Sequence, residues 1–193
     1  LSVCMEEIFY AKGAGFIVRR KILKEVGLFD PKSFMYYDET DLCWRIWLRG
    51  YRIVFVPKSI VYHAAGSTIS RIRKPVKRYF LTRNQMTTLI KNYNSKNVLK
   101  YLAVFITLEL RKAVLLMFRR DLATGIATIK ALSWNLFNLK YVWKKRQEVQ
   151  LLIRKVPDAM IMRKVMLKPY PPYPQRLIFP KSHFPKETLA KPN

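Results

Sequence analysis

Tyr36-Tyr37-Asp38-Glu39-Thr40-Asp41-Leu42-Cys43-Trp44-Arg45 is the stretch whose reading decides the fold of this chain. Asp38, Glu39 and Asp41 are three of only 12 acidic residues, set against 37 Lys and Arg. Ile46 and Trp47 lie four and three positions after Leu42 and Trp44, which suits one apolar face of a helix over residues 40–49, closed by Gly50. Directly behind it, Arg52-Ile53-Val54-Phe55-Val56 reads as a buried strand ended by Pro57. Carboxylates at a helix mouth, backed by a buried strand, suit a general base or a metal site. They equally suit an acidic helix start that complements the helix dipole.

Upstream, Gly13-Ala14-Gly15 reads as a turn into a short strand, Phe16-Ile17-Val18-Arg19-Arg20. It precedes a strand instead of leading from one into a helix, so it is no dinucleotide fingerprint. Residues 21–26 read as a helix stopped by Gly27. Leu28-Phe29-Asp30-Pro31 is a loop, and Ser33-Phe34-Met35-Tyr36-Tyr37 is aromatic and extended. Downstream, Ser59-Ile60-Val61-Tyr62-His63 alternates as a second strand, followed by the small-residue loop Ala64-Ala65-Gly66-Ser67-Thr68. Together these indicate an α/β sheet domain whose N-terminal portion is absent.

Beyond Ser70 no strand pattern occurs until about Ile153. Helices are expected over residues 77–91, 98–120 and 122–153, with Gly125 and residues 135–138 as candidate breaks in the last. From Pro157 the chain carries eight of its 11 prolines, and Pro169-Tyr170-Pro171-Pro172-Tyr173-Pro174 favours polyproline II. The expected divisions are therefore 1–70, 71–156 and 157–193.

The formal net charge of +25 implies an anionic partner: nucleic acid, an acidic lipid surface or a phosphorylated substrate. Cys4 and Cys43 have neither disulfide nor zinc spacing, which fits a reducing compartment. The longest apolar runs, 101–108 and 122–129, are cut by Glu109 and Lys130. They are too short for a simple spanning helix and leave an in-plane helix open.

The ordered set Gly13-x-Gly15-Phe16-Ile17-Val18-Arg19-Arg20, Val26-Gly27-Leu28-Phe29-Asp30, Asp38-Glu39-Thr40-Asp41-Leu42-Cys43-Trp44-Arg45, Gly50-Tyr51-Arg52-Ile53-Val54-Phe55-Val56-Pro57, Val61-Tyr62-His63 and Arg83-Asn84 resembles the C-terminal half of inverting nucleotide-sugar glycosyltransferases. The resemblance is to family 2 members of the GT-A fold, rhamnosyltransferase-like in particular, and covers about residues 13–92. It implies an α/β architecture: the C-terminal half of a Rossmann-like GT-A sheet domain, then a helical module and a Pro-rich tail. It also implies a nucleotide-sugar donor, a glycan or polyprenyl-linked acceptor, and a divalent metal, Mn or Mg.

In that family a carboxylate pair, commonly Glu-Asp-x-Asp, sits on the acceptor side, and its second member deprotonates the acceptor hydroxyl. The resemblance puts Glu39 at the base position, with Asp38 as the alternative because Glu is one methylene longer than the usual Asp. Gly13, Tyr37 and Asp41 are expected on the acceptor side, although Asp41 also suits an i,i+4 ion pair with Arg45. His63 is expected either as a metal ligand or as a polar strand end. Ser67, Thr68, Arg71 and Arg73 suit a leaving diphosphate, or a solvated basic loop. Trp44 and Trp47 are expected in the core; of Tyr36 and Tyr37, one is expected to face inward and the other the cleft.

The family's Asp-x-Asp motif, which holds metal and diphosphate, occurs nowhere in these 193 residues. The chain is therefore expected to be an acceptor half, a fragment or separate subunit, inactive alone. It is expected in the cytoplasm at the inner face of the cell membrane, on an anionic surface, with no specific nucleic acid. The competing reading is a non-catalytic basic module that binds membrane or nucleic acid.

Overall fold

The computed structural model describes residues 5–59, 61, 63 and 71–167. In chain order the elements are β1 (Glu6–Glu7), α1 (Arg20–Val26), α2 (Asp38–Leu48), β2 (Val54–Phe55), α3 (Lys74–Asn92), α4 (Ser95–Phe118), α5 (Leu122–Phe137) and α6 (Leu139–Gln147). A π-helical turn (Glu148–Ile153), α7 (Asp158–Ile161) and a second π-helical turn (Met162–Met166) follow.

Among the described residues the fold is mostly helical with a small two-stranded sheet, compatible with part of the α/β domain expected from the sequence. Among the described residues the sheet is one antiparallel ladder, Glu6 opposite Phe55 and Glu7 opposite Val54. Strand 52–56 is reduced to Val54–Phe55, with only the β1 segment beside it among the described residues, and it is not buried: Val54 and Val56 are exposed. Residues 16–19 are not a strand. Nor is the segment mostly buried, as a core strand would be: Phe16 and Val18 pack on the core, Ile17 is fully exposed, and no ladder pairs with them. Alternation places side chains; a strand also needs a neighbour for its backbone groups. Ser59, Val61 and His63 are likewise outside any strand, and Ile60 and Tyr62 fall outside the described residues.

The helices follow the sequence more closely. α1 ends at Gly27, whose φ of 79° and ψ of 172° suit glycine alone, and whose N–H reaches Leu23 O at 2.9 Å. α2 ends in a Schellman motif: the Gly50 N–H reaches Trp47 O at 2.9 Å and the Tyr51 N–H reaches Ile46 O at 3.2 Å. The chain breaks at Asn138, between α5 and α6, but not at Gly125. Gly125 instead admits α4: a Cβ there would lie 2.7 Å from Met117 Cγ and 3.0 Å from the Ala113 carbonyl oxygen.

α2 is the centre of the molecule. Its eight residues from Asp41 to Leu48 are all buried, so it is enclosed on every side and not on one face only. The main core joins Val26, Leu42, Trp44 and Leu48 to Tyr93, Val98, Val149, Ile153, Ile161 and Val165. Burying each such aliphatic side chain contributes about 1.5–3 kcal/mol. This one core runs across both expected divisions, at 70/71 and at 156/157. The start of the expected Pro-rich tail is thus helical and packed, while residues 168–193 lie outside the described set. Trp47 anchors the N-terminal segment, its indole N–H donating to Ile8 O (3.2 Å) and Phe9 O (3.1 Å).

A buried charge network joins α2 to α3 and α6. Lys91 Nζ donates to Asp30 Oδ2 at 3.1 Å and to Asp41 Oδ2 at 3.0 Å. Asp41 also takes Arg45 Nε at 3.0 Å and Asn92 Nδ2 at 2.9 Å. The Tyr141 hydroxyl donates to Asp30, and the Arg45 guanidinium donates to Val26 O, Gly27 O and Leu28 O. Burial opposes ionisation of Asp30 and Asp41. The Lys91 charge, with Arg45 at Asp41 and the surrounding hydrogen bonds, outweighs it and holds both carboxyls below their ordinary range.

Candidate active site: a carboxylate pair at the start of α2

The loop entering α2 is held in an unfavourable backbone conformation. Phe34, Tyr36 and Tyr37 have φ of 61°, 64° and 62°, a region costing bulky L-residues about 1–2 kcal/mol each. Two buried residues of α3 hold it. Asn84 Nδ2 donates to Ser33 O (2.8 Å), Met35 O (2.7 Å) and Tyr36 O (2.9 Å), while its Oδ1 accepts from Arg83 Nε at 2.9 Å. Arg83 Nη2 reaches Ser33 O at 3.0 Å and also donates to Lys32 O. Arg83 sits over the Phe80 and Trp134 rings, 4.7 and 4.9 Å from their centroids. Backbone strain held in place by a satisfied polar clamp is a feature that concentrates at functional sites.

The clamp sets where α2 begins, and so where Asp38 and Glu39 stand. Both occupy the first turn, with no side-chain cap from Tyr37. The helix dipole therefore favours their charge whatever else they do. Glu39 Oε1 accepts the Gly13 N–H at 3.3 Å. A Cβ at Gly13 would approach Glu39 Cγ and Oε1 to 3.2 Å, so the turn lies flat against the glutamate. Next to it the Ala11 N–H reaches Cys43 Sγ at 3.5 Å, and burial pushes that thiol up.

Asp38 is set apart from the other carboxyls. Burial first, then its hydrogen bond to Glu39 and the Glu39 charge, push it up to about 6. Two neighbouring carboxyls, one of them raised toward neutrality, form a proton-accepting pair of the kind acid–base chemistry uses.

A pocket of about 310 Å³ opens at the same turn. Tyr37 and Thr40, which bracket the pair, line it with Tyr10, Trp44, Gln85 and Tyr93. Trp44 stacks edge-on against Phe9 (5.4 Å) and Tyr93 (4.6 Å). Its buried indole N–H has no partner among the described residues. Burial also pushes the Tyr37 hydroxyl up, with Tyr10 adding to it.

The structure thus brings Gly13, Tyr37, Asp38 and Glu39 together. Asp41 points the other way, 2% exposed, its carboxylate taken up by Arg45, Lys91 and Asn92; it supports the site from below and offers the pocket no free oxygen. Trp47 is in the core, and Trp44 is both core and pocket wall. His63 is exposed, and Arg71 and Arg73 are exposed at the approach to α3. No hydrogen bond or ion pair among the described residues joins these three to the carboxylate pair. Ser67 and Thr68 lie outside the described residues.

No group of three or more His, Cys, Asp or Glu among the described residues is placed to hold a metal ion. A lone exposed imidazole and a carboxylate pair already bonded to each other and to Gly13 do not make a site for a divalent cation by themselves. Sequence reasoning assigned no role to Arg83 and Asn84, nor to the pocket walls Gln85 and Tyr93. The adjacent Arg83-Asn84 in mid-helix was the available signal for the clamp; nothing local marked the walls.

The model for the family described as "Glycosyl transferase family group 2" matches residues 3–143. Over 87 residues the chain is 29% identical to the dTDP-rhamnosyl transferase RfbF of Shigella flexneri, covering 42% of this chain. The chain spans only 29% of that relative's length. No solved structure matches it. With the family match taking in the α2 carboxylates, the Arg83-Asn84 clamp and the helices packed on them, the chain belongs to glycosyl transferase family group 2.

Proposed function

We propose that this chain supplies the acceptor side and the proton-accepting carboxylate of glycosyl transfer from a nucleotide sugar to a hydroxyl of a glycan or lipid-linked acceptor. The acceptor oxygen attacks the anomeric carbon, the bond to the diphosphate breaks, and the hydroxyl proton passes to the Asp38–Glu39 pair. Glu39, oriented by the Gly13 N–H, carries the charge that receives the proton; Asp38, whose own ionisation the Glu39 charge opposes, is the second carboxyl of the pair. The aromatic pocket beside Tyr37 and Thr40 seats the acceptor, with the unpartnered Trp44 N–H available to an acceptor oxygen. The observation that carries this reading is the Asp38–Glu39 pair, its Asp38 carboxyl raised, held in sequence between Tyr37 and Thr40, which line that pocket. The name of the Shigella relative makes a dTDP-sugar the first donor to try.

Arg71 and Arg73, with Ser67, are assigned to the departing diphosphate, where cationic groups stabilise developing charge. His63 is assigned as a single nitrogen ligand for a divalent cation carried by the donor. The proton transfer assigned to this chain uses its own carboxylates alone. The reading also places the protein peripherally on the cytoplasmic face of a membrane. No described helix is long and apolar enough to cross one. The outward side of α4 is nonetheless apolar.

The test is Glu39→Gln against Asp38→Asn in an active enzyme that carries this chain. Gln is nearly isosteric with Glu but cannot take the proton, so Glu39→Gln is expected to lower turnover by about 10²–10⁴ with stability nearly unchanged. A large loss for Asp38→Asn with a small one for Glu39→Gln would move the base to Asp38. Turnover within a few-fold of wild type for both would end the assignment.

A further inference from the structure

The α4–α5 hairpin carries features that glycosyl transfer does not use. α4 has 24 residues and buries only Val98, Phe105, Glu109 and Ala113. Leu99, Val104, Leu108, Val114, Leu115 and Phe118 are exposed. At the hairpin tip Phe118 and Leu122, 82% and 57% exposed, flank Arg119 and Arg120.

Beside this tip, between α3, α4 and α5, lies a groove of about 330 Å³. Lys112 and Leu115, at i and i+3 on α4, and Arg119, its C-cap at i+7, line one side of it. Lys74 and Arg78 line the groove from α3, and Thr124 from α5. Four cations line it and no carboxylate does. Glu109 behind it pairs with Arg78 and Lys112, and Asp121 pairs with Lys74, so two positive charges stay uncompensated. Thr124 is 2% exposed, and its hydroxyl has no hydrogen-bond partner among the described residues.

A surplus of cations, a buried unpartnered hydroxyl and apolar walls ask for phosphate oxygens joined to an apolar body. Free phosphate or a nucleotide answers the charge but leaves Leu115, Phe118 and Leu122 in water. A phospholipid answers both, since basic residues attract an anionic surface and the exposed side chains gain burial at the acyl boundary. Resting on the peripheral-membrane reading above, we propose that this groove is the docking site for the phosphate headgroup of an anionic bilayer phospholipid. Phe118 and Leu122 enter the membrane beside it.

The experiment is flotation of the full chain with phosphatidylcholine vesicles, with and without phosphatidylglycerol. Wild type is expected to float with phosphatidylglycerol vesicles only. Lys112→Ala/Arg119→Ala leaves Glu109 to Arg78 and Thr82 and touches no core residue. It should lower the partition coefficient by about 25-fold, at about 5-fold for each charge near the surface. Lys96→Ala/Lys100→Ala removes two exposed charges from the other end of α4 and should cost well under half of that in logarithmic terms. Thr124→Val, which removes only the hydroxyl, should cost about 3-fold.

Equal losses for the two lysine and arginine pairs would show diffuse attraction and overturn the groove. Inorganic phosphate that binds the groove while phosphatidylglycerol vesicles recover no protein would assign it to a soluble phosphate and overturn the lipid. Recovery with neither vesicle would remove the membrane reading and the groove with it. Turnover on a soluble acceptor, measured for the same variants in an active enzyme, should stay at the wild-type level, which keeps the transferase reading separate.

Discussion

Replacing Asn84 with Ala removes the side chain that holds the loop before the Asp38–Glu39 pair. The amide N–H₂ has two protons facing three carbonyls, at 2.7–2.9 Å, so about two good hydrogen bonds exist at any moment. Each contributes about 1 kcal/mol net, and a carbonyl left buried and unpaired costs about 1–3 kcal/mol. Partial relaxation of Phe34, Tyr36 and Tyr37 out of the left-handed region returns some of this, at about 1–2 kcal/mol for each residue that escapes. The expected result is a stability loss of about 2–3 kcal/mol if the loop keeps its shape. A smaller loss with much lower turnover is expected if the loop relaxes, because Asp38 and Glu39 then shift. Asn84→Asp separates hydrogen bonding from shape, since it keeps the outline but turns an anionic oxygen toward carbonyl oxygens. It should be worse than Ala in both stability and turnover. Urea unfolding followed by Trp fluorescence gives the first, with Trp44 and Trp47 as buried reporters, and a transfer assay gives the second. Asn84→Ala within about 0.5 kcal/mol of wild type, together with an Asp variant no worse than Ala, would refute the clamp.

Lys91→Met leaves the Asp30 and Asp41 carboxylates buried without their shared cation and should cost about 3–5 kcal/mol by denaturant titration. In wild type these lowered carboxyls contribute stability above the ordinary Asp range that is lost as pH falls below it; in the variant acid unfolding should begin at higher pH. The raised Asp38 carboxyl acts with the opposite sign. Its contribution to stability is present below the ordinary Asp range and is lost as pH rises through about 6, so Asp38→Asn should raise the melting temperature at neutral pH. Turnover of the wild type should fall as pH drops through about 6 and the pair keeps its proton; a flat profile from pH 5 to 8 would count against the pair as base. Gly13→Ala, whose Cβ meets Glu39 at 3.2 Å, should lower turnover by about 10-fold with little effect on unfolding. Gly125→Ala should destabilise by about 1–2 kcal/mol despite its better helix propensity, because the Ala113 carbonyl oxygen cannot move aside as Met117 can.

Most of the helices were legible from sequence. Gly27 and Gly50 marked two ends where a positive φ is needed, and the apolar spacing around Leu42 and Trp47 marked α2. The order of the Gly13, Asp38-Glu39 and Arg83-Asn84 segments was enough to point to a glycosyltransferase, because each names a residue type at a spacing the chain itself carries. The strands were less legible. Residues 16–20 and 52–56 have strand-like composition, yet a strand exists only where a second segment meets its backbone, and that meeting is not written in either segment. Residues distant in sequence had the same limit. Asp41 belongs beneath the site because Lys91 and Asn92, some 50 positions away, close on it. Asp38 titrates near 6 because folding buries it against Glu39. Gln85 and Tyr93 become pocket walls only when α3 lies beside α2. Residue type, local spacing and net charge were determined by the sequence by itself; burial, coupling and the strained loop that aims the carboxylates were decided by tertiary structure, since each depends on which distant atoms exclude water from a given group.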